Sequence, residues 1–132
     1  MSLENLKFRA WDKETNLMNE VTVIDFESEE VYYHHWRYGH SKAINLKDVE
    51  LLQSTGLKDR NGVEIYEGDI VEELYNSSPF RNITLRSIEM HRGAWVARDV
   101  KKPVLGDIAI TQSILRGAKV IGNLYENEDL LK

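Results

Sequence analysis

The sequence contains no cysteine. That absence removes disulfide frameworks, thiolate nucleophiles and every zinc or iron–sulfur site built on sulfur ligands. Nor is there an uninterrupted apolar run approaching the roughly 20 residues needed to span a bilayer. The N-terminus shows no basic start followed by an apolar middle, as a secretory leader would, so the expected location is the cytoplasm. HExxH, the Walker loop, GxGxxG and GxSxG do not occur. The common metalloprotease, nucleotide-phosphate, dinucleotide and serine-hydrolase fingerprints are therefore missing. No internal repeat, low-complexity tract or long amphipathic helix can be drawn either.

What is present is an ordinary globular composition: 132 residues, 42% hydrophobic and 30% charged, with 17 bases and 22 acids giving a net charge of −5. Such values exclude a disordered or fibrous chain. A chain of this length hides roughly two-thirds of its unfolded surface, enough for one core or two small fused ones.

The patterning is that of strands. Leu6, Phe8 and Ala10 alternate with Lys7, Arg9 and Trp11, and after the polar turn Asp12–Asn16 the β-branched stretch Val21–Phe26 resumes. Period-two alternation and β-branched residues mark strands. Further strands are predicted over 31–36, 48–55 (where a short helix also fits), 69–75, 83–91, 94–98 and 120–125. Asn76–Pro79 reads as a loop, and 107–115 fits either strand or helix. Asn61-Gly62 predicts a type I′ turn, because both of its central residues must take positive φ. Asn127 is the expected cap of a short helical tail. About eight strands at short spacing predict a mainly β fold, with α+β as the alternative. The seam near 53–58 divides it into an N-terminal β unit (1–55) and a C-terminal unit (56–132), fused into one compact body.

Three blocks carry a family likeness: Phe8-Arg9-Ala10-Trp11-Asp12, Thr55 to Val71 (TGLKDRNGVEIYEGDIV), and Val120 to Asn127 (VIGNLYEN). In this order they span nearly the whole chain, and together they resemble the YopX family of phage and prophage proteins. The resemblance implies a small β-rich protein of phage or prophage origin, with homo-oligomerisation among its expected properties, and it supplies no catalytic residues. By fold-level analogy, Glu67-Gly68-Asp69-Ile70-Val71 looks like the entry to an SH3-like barrel, with Val120–Tyr125 as its closing strand. On physical grounds the blocks read mainly as structural signatures, glycine turns alternating with buried aliphatic positions.

Two constellations are candidates for function. Residues 32–42 gather Tyr32, Tyr33, His34, His35, Trp36, Arg37, Tyr38 and His40. Aromatic faces beside Arg and Lys anchor protein interfaces, and they also stack single-stranded nucleic acid. In a strand, His34 and Trp36 would share one face, and Tyr33, His35 and Arg37 the other. The plainest reading is a strand with an aromatic core side and a solvated side. Adjacent histidines on opposite faces make a poor metal site.

The second constellation is electrostatic. Residues 64–75 hold five acids and no base, and 76–102 hold six bases against two acids. Arg86, Arg92 and Arg98, six apart, fall on one strand face if the strands pair in register. Glu67 and Asp69 could serve a metal-dependent hydrolase, but no lysine or histidine at fixed spacing completes a catalytic set, and a solvated acidic edge explains them more simply.

The expected function is therefore binding without catalysis or cofactor, by a protein that associates with itself or another protein. A nucleic-acid binder and then a metal-dependent hydrolase are the alternatives. The expected surface comprises Tyr33, His35, Trp36, Arg37, Tyr38, Arg86, Arg92 and Arg98.

Overall fold

A computed structural model describes the chain apart from residues 1–5, 78–79, 102–107, 110–114, 116 and 132, and apart from the side chains of 74–77, 80–82 and 108–109. Eleven strands are present among the described residues: β1 (Phe8–Asp12), β2 (Leu17–Asp25), β3 (Glu30–Tyr33), β4 (Ile44–Asn45), β5 (Val49–Lys58), β6 (Glu64–Tyr66), β7 (Asp69–Ser77), β8 (Phe80–His91), β9 (Ala94–Asp99), β10 (Ile108–Ala109) and β11 (Ala118–Asn123). No described helix reaches seven residues. The fold is mainly β, in two antiparallel sheets. The strands beyond the expected eight are β4, β6 and β10, too short to leave a period-two signature in sequence. Of the stretch 48–55, residues 49–55 are strand, preceded by a single 3-10 turn at Leu46–Asp48 in which Lys47 N–H donates to the Asn45 side chain.

The chain divides into two compact units, Met1–Ser54 and Thr55–Lys132, and β5 carries it from one to the other. In the first unit the strand order is β4-β3-β2-β1-β5. Ala10, Val31, Tyr33 and Val49 form its buried centre, with Val21, Ile24, Ile44, Leu46 and Leu51 packed around them. Ala10 and Asp12 are buried on β1 while Arg9 and Trp11 are half-buried, as period-two patterning requires. A register shift between Val21 and Val23 marks a bulge in β2 opposite β3.

In the second unit β5 continues beside β6, and a five-stranded sheet runs β10-β9-β8-β7-β11. Its core is Ile65, Val71, Ile88, Ala97, Leu115 and Ala118, all under 3% exposed. Burying a large aliphatic side chain stabilises by about 1.5–3 kcal/mol, so this cluster is the main cohesive element of the unit. The β7–β8 hairpin is longer than its sequence indicates. Residues 76–77 belong to β7, and β8 starts at Phe80 rather than Ile83, so only 78–79 lie between them and outside the described residues. Of the ambiguous stretch 107–115, Ile108–Ala109 is strand and most of the remainder lies outside the described residues.

The turn chemistry is redistributed. Asn61-Gly62 does not form a type I′ turn, since Gly62 has φ 79° whereas Asn61 does not take positive φ. The Asp59 carboxylate accepts from the N–H groups of Asn61 and Val63 and shapes a three-residue loop closed by Gly62 N–H to Asp59 O at 3.0 Å. A two-residue turn of that kind sits instead at Arg92-Gly93, where φ is 50° and 80° and His91 pairs with Ala94. The tail at Glu128–Leu131 is a 3-10 turn, and the Asn127 side chain reaches back to accept from Asn123 N–H at 3.1 Å.

Candidate interaction surface

The aromatic segment after β3 is a turn, not a strand, which corrects the alternating-face expectation for 34–36. β3 stops at Tyr33 because Ser41 returns alongside it. Tyr33 N–H donates to Ser41 Oγ at 2.9 Å, and Ser41 N–H donates to Tyr33 O at 2.7 Å. The segment between folds on His35, whose Nδ1 accepts from the backbone N–H groups of Arg37 (3.1 Å) and Tyr38 (3.3 Å), while Gly39 N–H donates to His35 O at 2.9 Å. A side-chain acceptor that competes for local N–H groups in this way takes the backbone out of the ladder.

The geometry brings together four of the eight surface residues expected from sequence. The His35 ring stacks with Trp36 (centroids 5.9 Å apart) and with Tyr38 (5.1 Å), and Arg37 Cζ stands 5.7 Å from the Trp36 ring and 6.0 Å from that of Tyr38. Trp36 is 82% exposed and Tyr38 71%. Exposing an indole so fully is unusual for a residue type that is highly buried on average. The turn also displays His34, His40 and Lys42, and residues 34–42 contain no acid.

Tyr33 does not share this surface. Its ring is in the core of the first unit, and its hydroxyl donates to Asp12 Oδ2 at 2.9 Å. Burial, with the Asp12 carboxylate beside it, pushes the Tyr33 phenol up. Burial alone would also raise Asp12, but hydrogen bonds from Thr15, Tyr33 and Glu14 outweigh it and hold the carboxyl below the usual range.

Arg86, Arg92 and Arg98 are not brought together on one face. Arg86 pairs with Asp99 across β8 and β9, and Arg98 with Ser87, one residue on, so Arg86 and Arg98 point to opposite faces. Arg92 occupies the hairpin turn. The Arg86 guanidinium donates to Glu73 Oε2 at 2.9 Å, and Arg98 lies 3.5 Å from Glu89. The acidic and basic blocks thus meet within one chain. They form the consecutive strands β7 and β8, and on the other side of β7 Glu72 faces Lys119 of β11. Asp69 is buried, and its Oδ2 accepts from Tyr66 N–H at 2.8 Å. Among the described residues, no group of three or more His, Asp or Glu is arranged to hold a metal.

A further surface feature escaped the sequence reading. In the first unit, Leu6, Phe8, Val21, Val23, Ile24 and Phe26 line a groove of about 310 Å³ whose one polar side chain, Thr22, spends its hydroxyl on Tyr32 O. Phe26 is 80% exposed at the groove's end, inside the turn Asp25-Phe26-Glu27-Ser28-Glu29-Glu30, which has four acids and no base. The usable signal was that aromatic residue set in an otherwise charged turn. N–H groups of Ser28 and Glu27 hold the Asp25 carboxyl below its ordinary value, so the turn stays anionic.

Two antiparallel β units, one bearing an exposed aromatic turn and an apolar groove, define a small, mainly β protein with its distinctive features on the surface of the N-terminal half. The chain belongs to the YopX family: the family model described as YopX protein matches residues 7–132. It is similar to the crystal structure of protein EF1440 from Enterococcus faecalis, with 30% identity and a TM-score of 0.71, over 96% of this chain and 98% of that one. No curated protein matches it. No helix among the described residues is long and apolar enough to cross a membrane.

Proposed function

We propose that this chain is a non-catalytic accessory protein of a phage or prophage, acting in the host cytoplasm through protein–protein contact that includes association with its own copies. The aromatic turn carries this reading. Trp, Tyr and Arg are the residue types on which interface energy concentrates, and here Trp36 and Tyr38 each stack on His35 with Arg37 beside both rings before any partner arrives. A preformed anchor loses less side-chain freedom on docking than a flexible one. In this reading the second unit, with Arg60 N–H donating to Ala118 O and Val120 N–H to Asp59, is a small SH3-like barrel that supports assembly.

Light scattering on the wild type and on W36A/Y38A tests the proposal. The wild type is expected to exceed the 15.3 kDa of one chain and the variant to fall to it. A wild type that stays monomeric at micromolar concentration overturns the reading.

Single-stranded nucleic acid on the same turn is the second reading, supported by the Arg37 cation over two aromatic faces. The pairing of Arg86 with Glu73 and of Arg98 with Glu89 removes much of the phosphate-binding half of that idea. Fluorescence titration with single-stranded DNA at low and high salt separates the two, because phosphate contacts weaken steeply with salt.

A further inference from the structure

The two ends of the β2–β3 hairpin are chemically opposite. At one end lies the turn 25–30, with Asp25, Glu27, Glu29 and Glu30, opening onto the apolar groove through Phe26. At the other lies the aromatic turn 34–42, with Arg37, Lys42 and three histidines. The four residues of β3 separate them, on the order of 13 Å at the usual rise per residue. The groove runs along β2 from Val21, which pairs with Tyr33, to Phe26, and none of the chain's own aromatic-turn residues lines it. In two copies laid antiparallel, each basic aromatic end faces the partner's acidic apolar end.

We propose that the groove formed by Leu6, Phe8, Val21, Val23, Ile24 and Phe26 receives the aromatic turn of a second copy of this chain, in a reciprocal pair. The inference rests on the self-association reading and adds to it the receiving surface. Three observations favour this occupant. The groove's 310 Å³ falls in the range that accommodates a compact aromatic group, and its apolar lining suits an indole. The charges are complementary, four acids in the turn at the groove's Phe26 end and bases in the aromatic turn, with neither turn carrying the other's sign. Reciprocal seating engages Trp36, Tyr38 and Phe26 twice. At about 150–250 Å² per aromatic side chain, six rings contribute about 900–1,500 Å², near the size class of stable interfaces.

Charge exchange between separately purified variants tests the pairing. R37E/K42E leaves the turn with two acids and no arginine or lysine, and E27K/E29K/E30K leaves the groove's rim with three lysines against Asp25; four of these five side chains are exposed and Glu30 is half-buried, so both variants should melt close to the wild type. Each variant alone sets like charges against each other and is expected to run at 15.3 kDa in light scattering. An equimolar mixture restores opposite charges at both contacts and should regain the wild-type mass. The proposal is overturned if E27K/E29K/E30K assembles like the wild type, or if the mixture stays at the mass of one chain. F26D provides a second variant in the groove. Should W36A/Y38A abolish assembly while F26D and E27K/E29K/E30K leave it intact, the self-association reading survives and this one fails; a monomeric wild type removes both.

Discussion

The Asp59 carboxylate accepts a hydrogen bond of 2.9 Å from the backbone N–H of Val120, 61 residues further along the chain. The same side chain also takes the N–H groups of Asn61 and Val63, so one buried carboxylate ties the β5–β6 loop to the last strand. The middle and C-terminal blocks that carry the family likeness are therefore in direct contact. Their spacing reflects this bond at least as much as any surface role.

Removing that carboxylate leaves three donors unmet. D59A is expected to lose about 3 kcal/mol of stability, and D59N, which keeps one carbonyl acceptor, about 1–2 kcal/mol. Urea unfolding checks this: the midpoint should fall while the slope stays constant.

Asp12 and Tyr33 set the pH limits of the fold. Burial raises Asp12 and Asp59, but hydrogen bonds outweigh it and hold both carboxyls below 3.8, so their contribution is complete above that value and is lost as pH falls through the lower folded values. Tyr33 is shifted the other way. Its contribution is complete below pH 10.0 and is lost as pH rises through the raised folded value. Melting temperature against pH should show a plateau with a falling limb at each side. Y33F should flatten the alkaline limb and lower stability by about 1–2 kcal/mol at neutral pH, since Asp12 loses a buried partner.

The two arginine ion pairs differ in burial. The side chains of Arg86 and Glu73 are 17% and 30% exposed, against 30% and 33% for Arg98 and Glu89, and Arg86 also reaches Ala97 O. R86A leaves Glu73 partly desolvated without its cation, so it should cost about 1–3 kcal/mol; R98A should cost about 0.5 kcal/mol. Equal losses in chemical denaturation would contradict the assigned register.

Gly122 has no room for a side chain. A Cβ there would lie 2.5 Å from Asn127 Oδ1 and 3.0 Å from its Cβ, and moving Asn127 aside breaks its bond to Asn123 N–H. G122A is expected to destabilise by about 1–3 kcal/mol. G122A/N127A should recover part of the loss by removing the clash, which a double-mutant cycle would show as coupling between the two sites.

The strands with clean alternation were legible from sequence. Phe8 to Asp12 patterns itself by side chain alone, because Ala10 and Asp12, two apart, are buried and the residue between them is not; Ala94 to Arg98 is marked by its apolar run after Arg92-Gly93, since the adjacent Val96 and Ala97 are both buried. The aromatic turn was legible in composition but not in shape. Tyr32 to Trp36 has the residue types of a strand, and only the return of Ser41 beside Tyr33 and the capture of two N–H groups by His35 end it early. The groove was hidden for a related reason: Val21, Val23 and Ile24 look like core residues wherever they occur, and exposure is a property of what packs over them.

The absence of cysteine, the mainly β character and the family were decided by the residues themselves, because alternation and turn chemistry act over a few positions. Charge was not. A −5 block followed by a basic block reads in sequence as two surfaces awaiting partners, yet antiparallel pairing of β7 with β8 lays Glu73 against Arg86 and satisfies them internally. Which charges stay available depends on which residues become neighbours across strands. That depends on register, which is settled by long-range packing and is invisible to any local window of sequence.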